Sequence, residues 1–228
     1  MAVFPCLVVN GYMPVRLGNL AKVSWVFEFG RVRFRTFERE DLKLLHAWEN
    51  DSELIMFSRS RPLNFLSLTQ LEKQYEDWMK EEKELHFIVE LIDSNEAIGI
   101  ARLNRQDGGN VKTADIGTYI GKKDLWGKGL GREITLGLLE MAFNQFNAER
   151  CQAWSVEYNH RAHSTLEACG FKKVGATRQT VFVNGRKWDG YFFDILREEY
   201  LNTRLDLLKR TLGDKAKDYI EKNDKIQG

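Results

Sequence analysis

The chain has 228 residues, 43% hydrophobic and 29% charged, with 34 Lys and Arg against 33 Asp and Glu for a formal net charge of +1. That size and balance fit one globular domain with extensions, and they exclude a disordered chain and the basic footprint of a non-specific nucleic-acid binder. An odd set of unpaired cysteines (Cys6, Cys151, Cys169), an opening run without a positive n-region, and no segment near the ~20 apolar residues of a membrane span together predict a soluble cytoplasmic protein without disulfides, zinc or a membrane partner.

Residues 1–30 hold short β-like runs, at 6–9 and 23–29, interrupted by Gly11, Gly18 and Gly30, and are expected to be an N-terminal extension or an added hairpin. The regular domain is expected to begin at Arg31, where Arg31-Val-Arg-Phe-Arg35 alternates as a strand. Leu42, Leu45 and Trp48 are spaced to bury one face of a helix over about 38–49. Ser67 and Gln70 have capping-box spacing, with Leu66 placed to staple onto Leu71, so a second helix is expected from Ser67 to about Lys83. Three strands should follow at 86–92, 97–104 and 111–120. Their short turn-forming connections allow only antiparallel neighbours.

The meander leads into Leu125-Trp-Gly-Lys-Gly-Leu-Gly-Arg132, three glycines in five residues. Glycine permits close backbone approach and positive φ, and a following helix offers unpaired N–H groups and a positive dipole end, so this stretch reads as an anion cradle suited to phosphate. It lacks the Gly-Lys-Ser/Thr ending of a Walker A loop, and its third glycine comes one residue early for a dinucleotide fingerprint. Ile134, Leu138, Met141, Ala142 and Phe146 then mark a helix over 131–147, and a strand is expected at 151–157. Strand, crossover helix and strand make a parallel unit, so 111–120 and 151–157 should be close neighbours with the glycine loop at their carboxyl ends.

Asn159 is a good N-cap for a short helix to Cys169, closed by Gly170, and Cys169 falls on its buried stripe rather than at a nucleophile's position. Strands at 174–183 and 188–196 meet at Asn184-Gly185, the strongest short hairpin signal. Leu201, Leu205, Leu208 and Leu212 make the tail an amphipathic helix, whose face must pack on the domain or on another subunit, such as that of a homodimer. His160 and His163 stand three apart without a third ligand in view, so no metal site is expected.

Taken together, the meander, Trp126-Gly-Lys-Gly-Leu-Gly131, helix, strand, Asn159-His-Arg-Ala-His-Ser-Thr-Leu-Glu-Ala-Cys-Gly-Phe171 and hairpin resemble the GNAT superfamily of acetyl-CoA-dependent N-acetyltransferases over residues 31–200. Gly129 and Gly131 match the glycines of its Gln/Arg-x-x-Gly-x-Gly/Ala signature. Trp126 stands for the polar first residue, as in the branch related to ribosomal-protein and spermidine acetyltransferases, which Ala114-Asp-Ile-Gly117 also resembles. The resemblance implies an α/β fold with a mixed, mostly antiparallel twisted sheet flanked by helices: extension 1–30, transferase domain 31–200 and helical tail 201–228.

The resemblance further implies that the backbone of Trp126, Gly127, Lys128, Gly129, Leu130, Gly131 and Arg132 holds the CoA pyrophosphate, with charge added by Lys128 and Arg132. Backbone groups of Tyr119, Ile120 and Gly121 would pair with the pantetheine arm, and one of those N–H groups would polarise the thioester carbonyl. Asn159 would contact the arm as well as cap its helix.

An amine of pKa near ~10 must lose a proton before it attacks. Asp115 takes the place of the branch's acidic residue and is the first choice of base, with Glu157 second; a plain surface carboxylate is the alternative for each. Leu166 stands seven residues after Asn159, where many members carry a tyrosine that protonates the leaving thiolate. Water, Ser164 or Tyr158 are the available substitutes. The expected function is transfer of acetyl from acetyl-CoA to a primary amine: a protein N-terminus, a polyamine or another small amine. The alternative is an acyl-CoA-binding regulatory or structural protein that has lost turnover.

Overall fold

The computed structural model describes residues 25–58, 65–106 and 110–224, so the expected run at 6–9 and most of the turn at 106–110 lie outside the described residues. Eight strands form one sheet: β1 (Trp25–Phe29), β2 (Val32–Thr36), β3 (Glu84–Leu91), β4 (Ala97–Gln106), β5 (Thr113–Ile120), β6 (Arg150–Val156), β7 (Lys172–Val183) and β8 (Arg186–Leu196). Their order is β1-β2-β3-β4-β5-β6-β8-β7, and every pair is antiparallel except β5 with β6. This is the mixed, mostly antiparallel sheet the sequence implied. Strand β1 falls in residues read as an extension, yet it pairs with β2 along the sheet's outer edge, so the sheet starts before Arg31.

After β2 come a 3-10 turn at Arg39–Asp41 and three helices, α1 (Leu42–Glu49), α2 (Ser52–Ser58) and α3 (Leu68–Trp78). The capping box of α3 forms as spaced: the Ser67 N–H donates to Gln70 Oε1 at 2.8 Å, and the Gln70 N–H donates to Ser67 Oγ at 3.3 Å. Helix α2 is absent from the sequence reading, although Asp51, whose Oδ1 accepts from the N–H groups of Glu53 and Leu54, is an ordinary N-cap for it.

Helix α4 (Leu130–Glu140) crosses from β5 to β6, and its expected continuation is a π-helical turn at Met141–Gln145. Helix α5 (His160–Ala168) joins β6 to β7. Asn184 and Gly185 both have positive φ, as a tight primed hairpin turn between β7 and β8 requires.

Period-two alternation sorts the core onto two faces of the sheet. Phe87 and Val89 of β3 join α4 in the larger cluster, whereas Ile88 joins Leu42, Leu45 and Leu71 of α1 and α3 in the smaller one.

The tail folds as α6 (Arg197–Leu212) and α7 (Lys215–Asp224), parted at Gly213. The expected leucine stripe is corrected in part: Leu208 is buried, but Leu201 and Leu205 are exposed. The docking face is also set by buried Glu140 at the end of α4. Glu140 accepts hydrogen bonds from Tyr200 Oη, from Arg204 Nε at 2.7 Å and Nη2 at 3.0 Å, and from Tyr219 Oη at 3.3 Å.

Helix α4 approaches the sheet closely at Gly137, where a Cβ would lie 2.8 Å from the fully buried Phe34 ring. Gly137→Ala gains about 0.5–1 kcal/mol of helix propensity but incurs about 1–3 kcal/mol of overpacking. A lowered urea midpoint at unchanged m is the expected outcome, and a raised midpoint would contradict this packing.

Candidate functional site

Strand β5 pairs with β4 over its whole length, from Thr113 with Gln106 to Ile120 with Gly99. With β6 it shares only three registers: Thr113 with Arg150, Ala114 with Cys151 and Asp115 with Gln152. Beyond Asp115 the strands part, because β6 stays with β8 as far as Val156 and Gly190. Residues 116–120 therefore have no β6 partner and present a free strand edge to a cavity of about 550 Å³. That volume suits a small-molecule ligand. Ala153 and Trp154 of β6 line its far wall, the glycine loop and first turn of α4 its upper end, and α5 and α2 its flank.

The loop has the geometry of an anion cradle. Gly127 has φ +75 and Gly129, the N-cap of α4, has φ +82, conformations that L side chains rarely adopt. Nothing lies within 4 Å of a Cβ built at Gly127. Helix geometry leaves the N–H groups of Leu130 and Gly131 without intrahelical acceptors at the positive end of the dipole, while that of Arg132 donates to the Gly129 carbonyl at 3.1 Å. Lys128 and Arg132 are exposed beside them.

Trp126 explains how the loop works without the polar residue usual at its first position. Its Nε1–H donates to the Ile120 carbonyl at 2.9 Å, tying the loop to the end of β5, and its ring lies 3.9 Å from the Arg161 guanidinium. Gly121 follows β5 because a Cβ there would sit 2.3 Å from the Trp48 indole. Trp48 in turn packs edge-on against Tyr119.

The remaining sequence-derived residues divide between the cavity and its surroundings. Tyr119, Ile120, Trp126, Gly127, Gly129, Leu130, Gly131, Arg132, Asn159 and Ser164 all line it, while Lys128 stands at its rim. Both polar ends of Asn159 are engaged: Oδ1 accepts from the Ala162 N–H at 3.2 Å, and Nδ2 donates to the Phe57 carbonyl at 2.9 Å. With Tyr158 Oη donating to the Met56 carbonyl at 2.7 Å, this clasps α2 against the start of α5.

Asp115 lies where β5 and β6 part, behind the cavity wall. Its Oδ1 is 2.5 Å from Arg102 Nη2, and Arg102 also holds Glu84 Oε1 at 2.8 Å. Burial pushes the Asp115 carboxyl above its usual range, against the opposing pull of the Arg102 charge and hydrogen bond. Glu157 sits at the far end of β6, where its Oε2 accepts from the Asp189 N–H at 3.1 Å.

Leu166 lines the cavity and is buried. Burial pushes the Cys169 thiol up to about 12, which removes it as a nucleophile. His163 is turned to the Val156 carbonyl, 3.0 Å from Nε2, and desolvation lowers its pKa.

Sequence reasoning missed three contributors. Glu49, buried at the end of α1, accepts from Tyr119 Oη at 2.9 Å and so brings a carboxylate next to the cavity wall. Arg161 stacks over Trp126 and Phe57 at the rim. Arg31 reaches the loop from the β1–β2 turn, its Nη2 donating to the Lys128 carbonyl at 2.9 Å. None has a local signal: each is an ordinary charged residue in its own stretch and becomes notable only through partners distant in sequence.

An extended chain carrying amides and ending in phosphates fits this arrangement: the free edge of β5 can offer strand-like pairing, and the glycine loop at the start of α4 has the form of a site for an anion. The site and fold thus define an acyl-CoA N-acyltransferase. The profile described as "Acetyltransferase (GNAT) domain" matches residues 31–172, and the chain belongs to that family.

An uncharacterised N-acetyltransferase, p20 of Bacillus licheniformis, is 28% identical over 171 residues, covering 75% of this chain and 95% of that one. Spermidine N(1)-acetyltransferase of Escherichia coli K12 is 22% identical over 170 residues, 75% and 88% of the two chains. Among solved structures, spermidine N-acetyltransferase from Vibrio cholerae in complex with CoA and spermine superposes with a TM-score of 0.68 at 25% identity, over 75% of this chain and 99% of that chain. The protein is thus an acetyl-CoA-dependent N-acetyltransferase.

Gly129→Ala tests the cradle. Its Cβ would find space, with Arg31 Nη2 the nearest atom at 3.6 Å, so the cost falls on the backbone, about 1–2 kcal/mol at positive φ. Calorimetric titration with CoA is expected to show a loss of affinity of about 5- to 30-fold as the loop relaxes to negative φ. Affinity equal to the wild type would contradict the cradle.

Proposed function

We propose that the acceptor is a small cationic amine of the polyamine class and that transfer is direct, with donor and acceptor meeting in the gap between β5 and β6. The divergence of these strands beneath the glycine loop is the observation that carries the reading. Bound acetyl-CoA supplies an activated acyl thioester. In this reading the amides from Gly127 to Arg132 hold its pyrophosphate, with Lys128 and Arg132 adding charge, and the backbone of Tyr119 and Ile120 aligns the arm, whereas the Gly121 N–H expected to join them is given to the Ile98 carbonyl at 2.8 Å. Asn159 and Ser164 flank it from α5. The polyamine class is supported by the Vibrio cholerae relative, whose structure contains spermine, and by Glu49, a carboxylate beside Tyr119 suited to a cation.

Proton removal is assigned to Asp115. A carboxylate raised by burial is a better base at neutral pH than an ordinary one, and Asp115, paired with Arg102 behind the cavity wall where β5 and β6 part, would take the proton through a water rather than by direct contact with the amine. Glu157, at the open end of β6, is the second choice. Leu166 leaves the thiolate to depart without a tyrosine, which a thiol of pKa near ~8.5 tolerates. The protein is assigned to the cytoplasm, with residues 31–200 as the transferase unit, 1–30 as an extension and 201–228 as a docked tail. A homodimer is the assembly proposed. Buried, apolar Leu166 favours one competing reading, a CoA-binding protein that has lost turnover.

The deciding experiment follows thiol release from acetyl-CoA with spermidine, spermine, simple diamines and N-terminal peptides, across pH. Polyamines are expected to outpace hydrolysis and peptides. The acid limb of kcat/KM should lie above the usual Asp value of 3.8, since activity needs Asp115 ionised and its pKa is raised. Asp115→Asn should lower kcat by about 10²–10⁴. Thiol release equal to hydrolysis for every acceptor would sustain the competing reading instead, and full activity in Asp115→Asn would move the base elsewhere.

A further inference from the structure

Arg31, in the β1–β2 turn, lies 97 residues before Lys128, yet its Nη2 donates to the Lys128 carbonyl at 2.9 Å. Its other donors converge on one carboxylate. The Arg31 backbone N–H donates to Glu133 Oε2 at 2.7 Å and its Nε–H to Glu133 Oε1 at 2.7 Å, with Nη2 2.5 Å from that same oxygen. The turn is shaped around Glu133: Gly30 has φ +61, and a Cβ there would lie 2.4 Å from Glu133 Oε2.

Glu133 belongs to the first turn of α4, where its N–H donates to the Gly129 carbonyl at 3.3 Å, and its side chain is only 5% exposed. A carboxylate there suits the helix dipole. It also sets a poorly solvated negative charge in the turn that must accept a second, larger anion. Two anions sharing one helix end oppose each other unless a cation lies between them.

We propose that Arg31 is the positioning residue of the glycine loop. It neutralises Glu133 in the first turn of the anion cradle and holds the Lys128 carbonyl toward the β1–β2 turn, so that the neighbouring N–H groups stay available to the pyrophosphate. This rests on the reading of the loop as the CoA pyrophosphate site. Half-exposed Arg31 would contribute little as an isolated surface ion pair, but here the fork engages a buried partner and a backbone carbonyl together. Its effect is thus expected on anion affinity more than on the chemical step.

The test is calorimetric titration of CoA into wild type, Arg31→Ala, Arg31→Lys and the double variant Arg31→Ala/Glu133→Gln, with KM and kcat for acetyl-CoA and for the amine, and the melting temperature of each protein without ligand. Arg31→Ala should weaken CoA binding and raise KM for acetyl-CoA by roughly tenfold or more, with kcat and the amine's KM within about threefold. Arg31→Lys, which keeps the charge without the fork, should fall between. The double variant should regain most of the lost affinity, because the uncompensated carboxylate has gone, even though the clasp to Lys128 has not returned.

Wild-type affinity in Arg31→Ala, or a double variant as weak as Arg31→Ala, overturns the role of Arg31. If Arg31→Ala does not fold, the double variant and Arg31→Lys carry the same comparison. A wild-type protein that binds no CoA overturns the loop reading itself, a result distinct from either.

Discussion

Five residues of β5, from Ile116 to Ile120, keep their pairing with β4 while losing β6 altogether. The edge so freed faces the cavity. The gap persists because both strands are held on their outer sides, β5 by β4 and β6 by β8, and because a crossover helix joins them in place of a hairpin. That helix starts at the top of the gap. One topological constraint therefore brings together a strand edge that can pair with an extended ligand, a helix N-terminus that can hold its anion, and a cavity floored by Ala153 and Trp154.

The packing around the gap keeps these parts in place. Gly121 lets Trp48 lie against the end of β5, and Trp126 ties the loop to Ile120. On the other wall, Asn159 and Tyr158 clasp the end of α2. Charges are handled in a consistent way. Buried Glu133 and Glu140, at the two ends of α4, each meet an arginine from a distant segment, Arg31 and Arg204. Asp41 and Glu90 share Arg35, and Asp115 shares Arg102 with Glu84. A buried carboxylate without such a partner would be costly. These pairs join α4, the tail and the early helices to the sheet, and they leave the glycine end of α4 as the place where an outside anion is favoured.

Local signals in the chain were enough for much of this. Alternation located the strands, Ser67 and Gln70 the start of α3, Asn184-Gly185 the last hairpin, and the three glycines the loop that closes one end of the cavity. What escaped depends on contacts between distant segments. The β-like run at 23–29 was legible as part of an extension or an added hairpin, but its place as the outer strand of the sheet is defined only by its pairing with β2. The tail docks through Leu207 and Leu208 together with the Tyr200 and Arg204 contacts to Glu140, so only part of its leucine stripe faces the domain. How far β5 and β6 run together is a matter of register, which periodicity does not encode. Glu49, Arg161 and Arg31 are ordinary charged residues until the fold sets them beside Tyr119, Trp126 and Lys128.

Backbone amide chemical shifts of isotopically labelled protein, followed as CoA is added, report directly on whether the glycine loop and the free edge of β5 bind one ligand. The amides of Gly127, Gly129 and Gly131 and those of residues 116–121 are expected to shift together and saturate at one ligand per chain, while the β7–β8 turn at Asn184 and Gly185 stays still. Saturable binding that leaves the three glycine amides and the free edge of β5 unmoved would contradict that expectation.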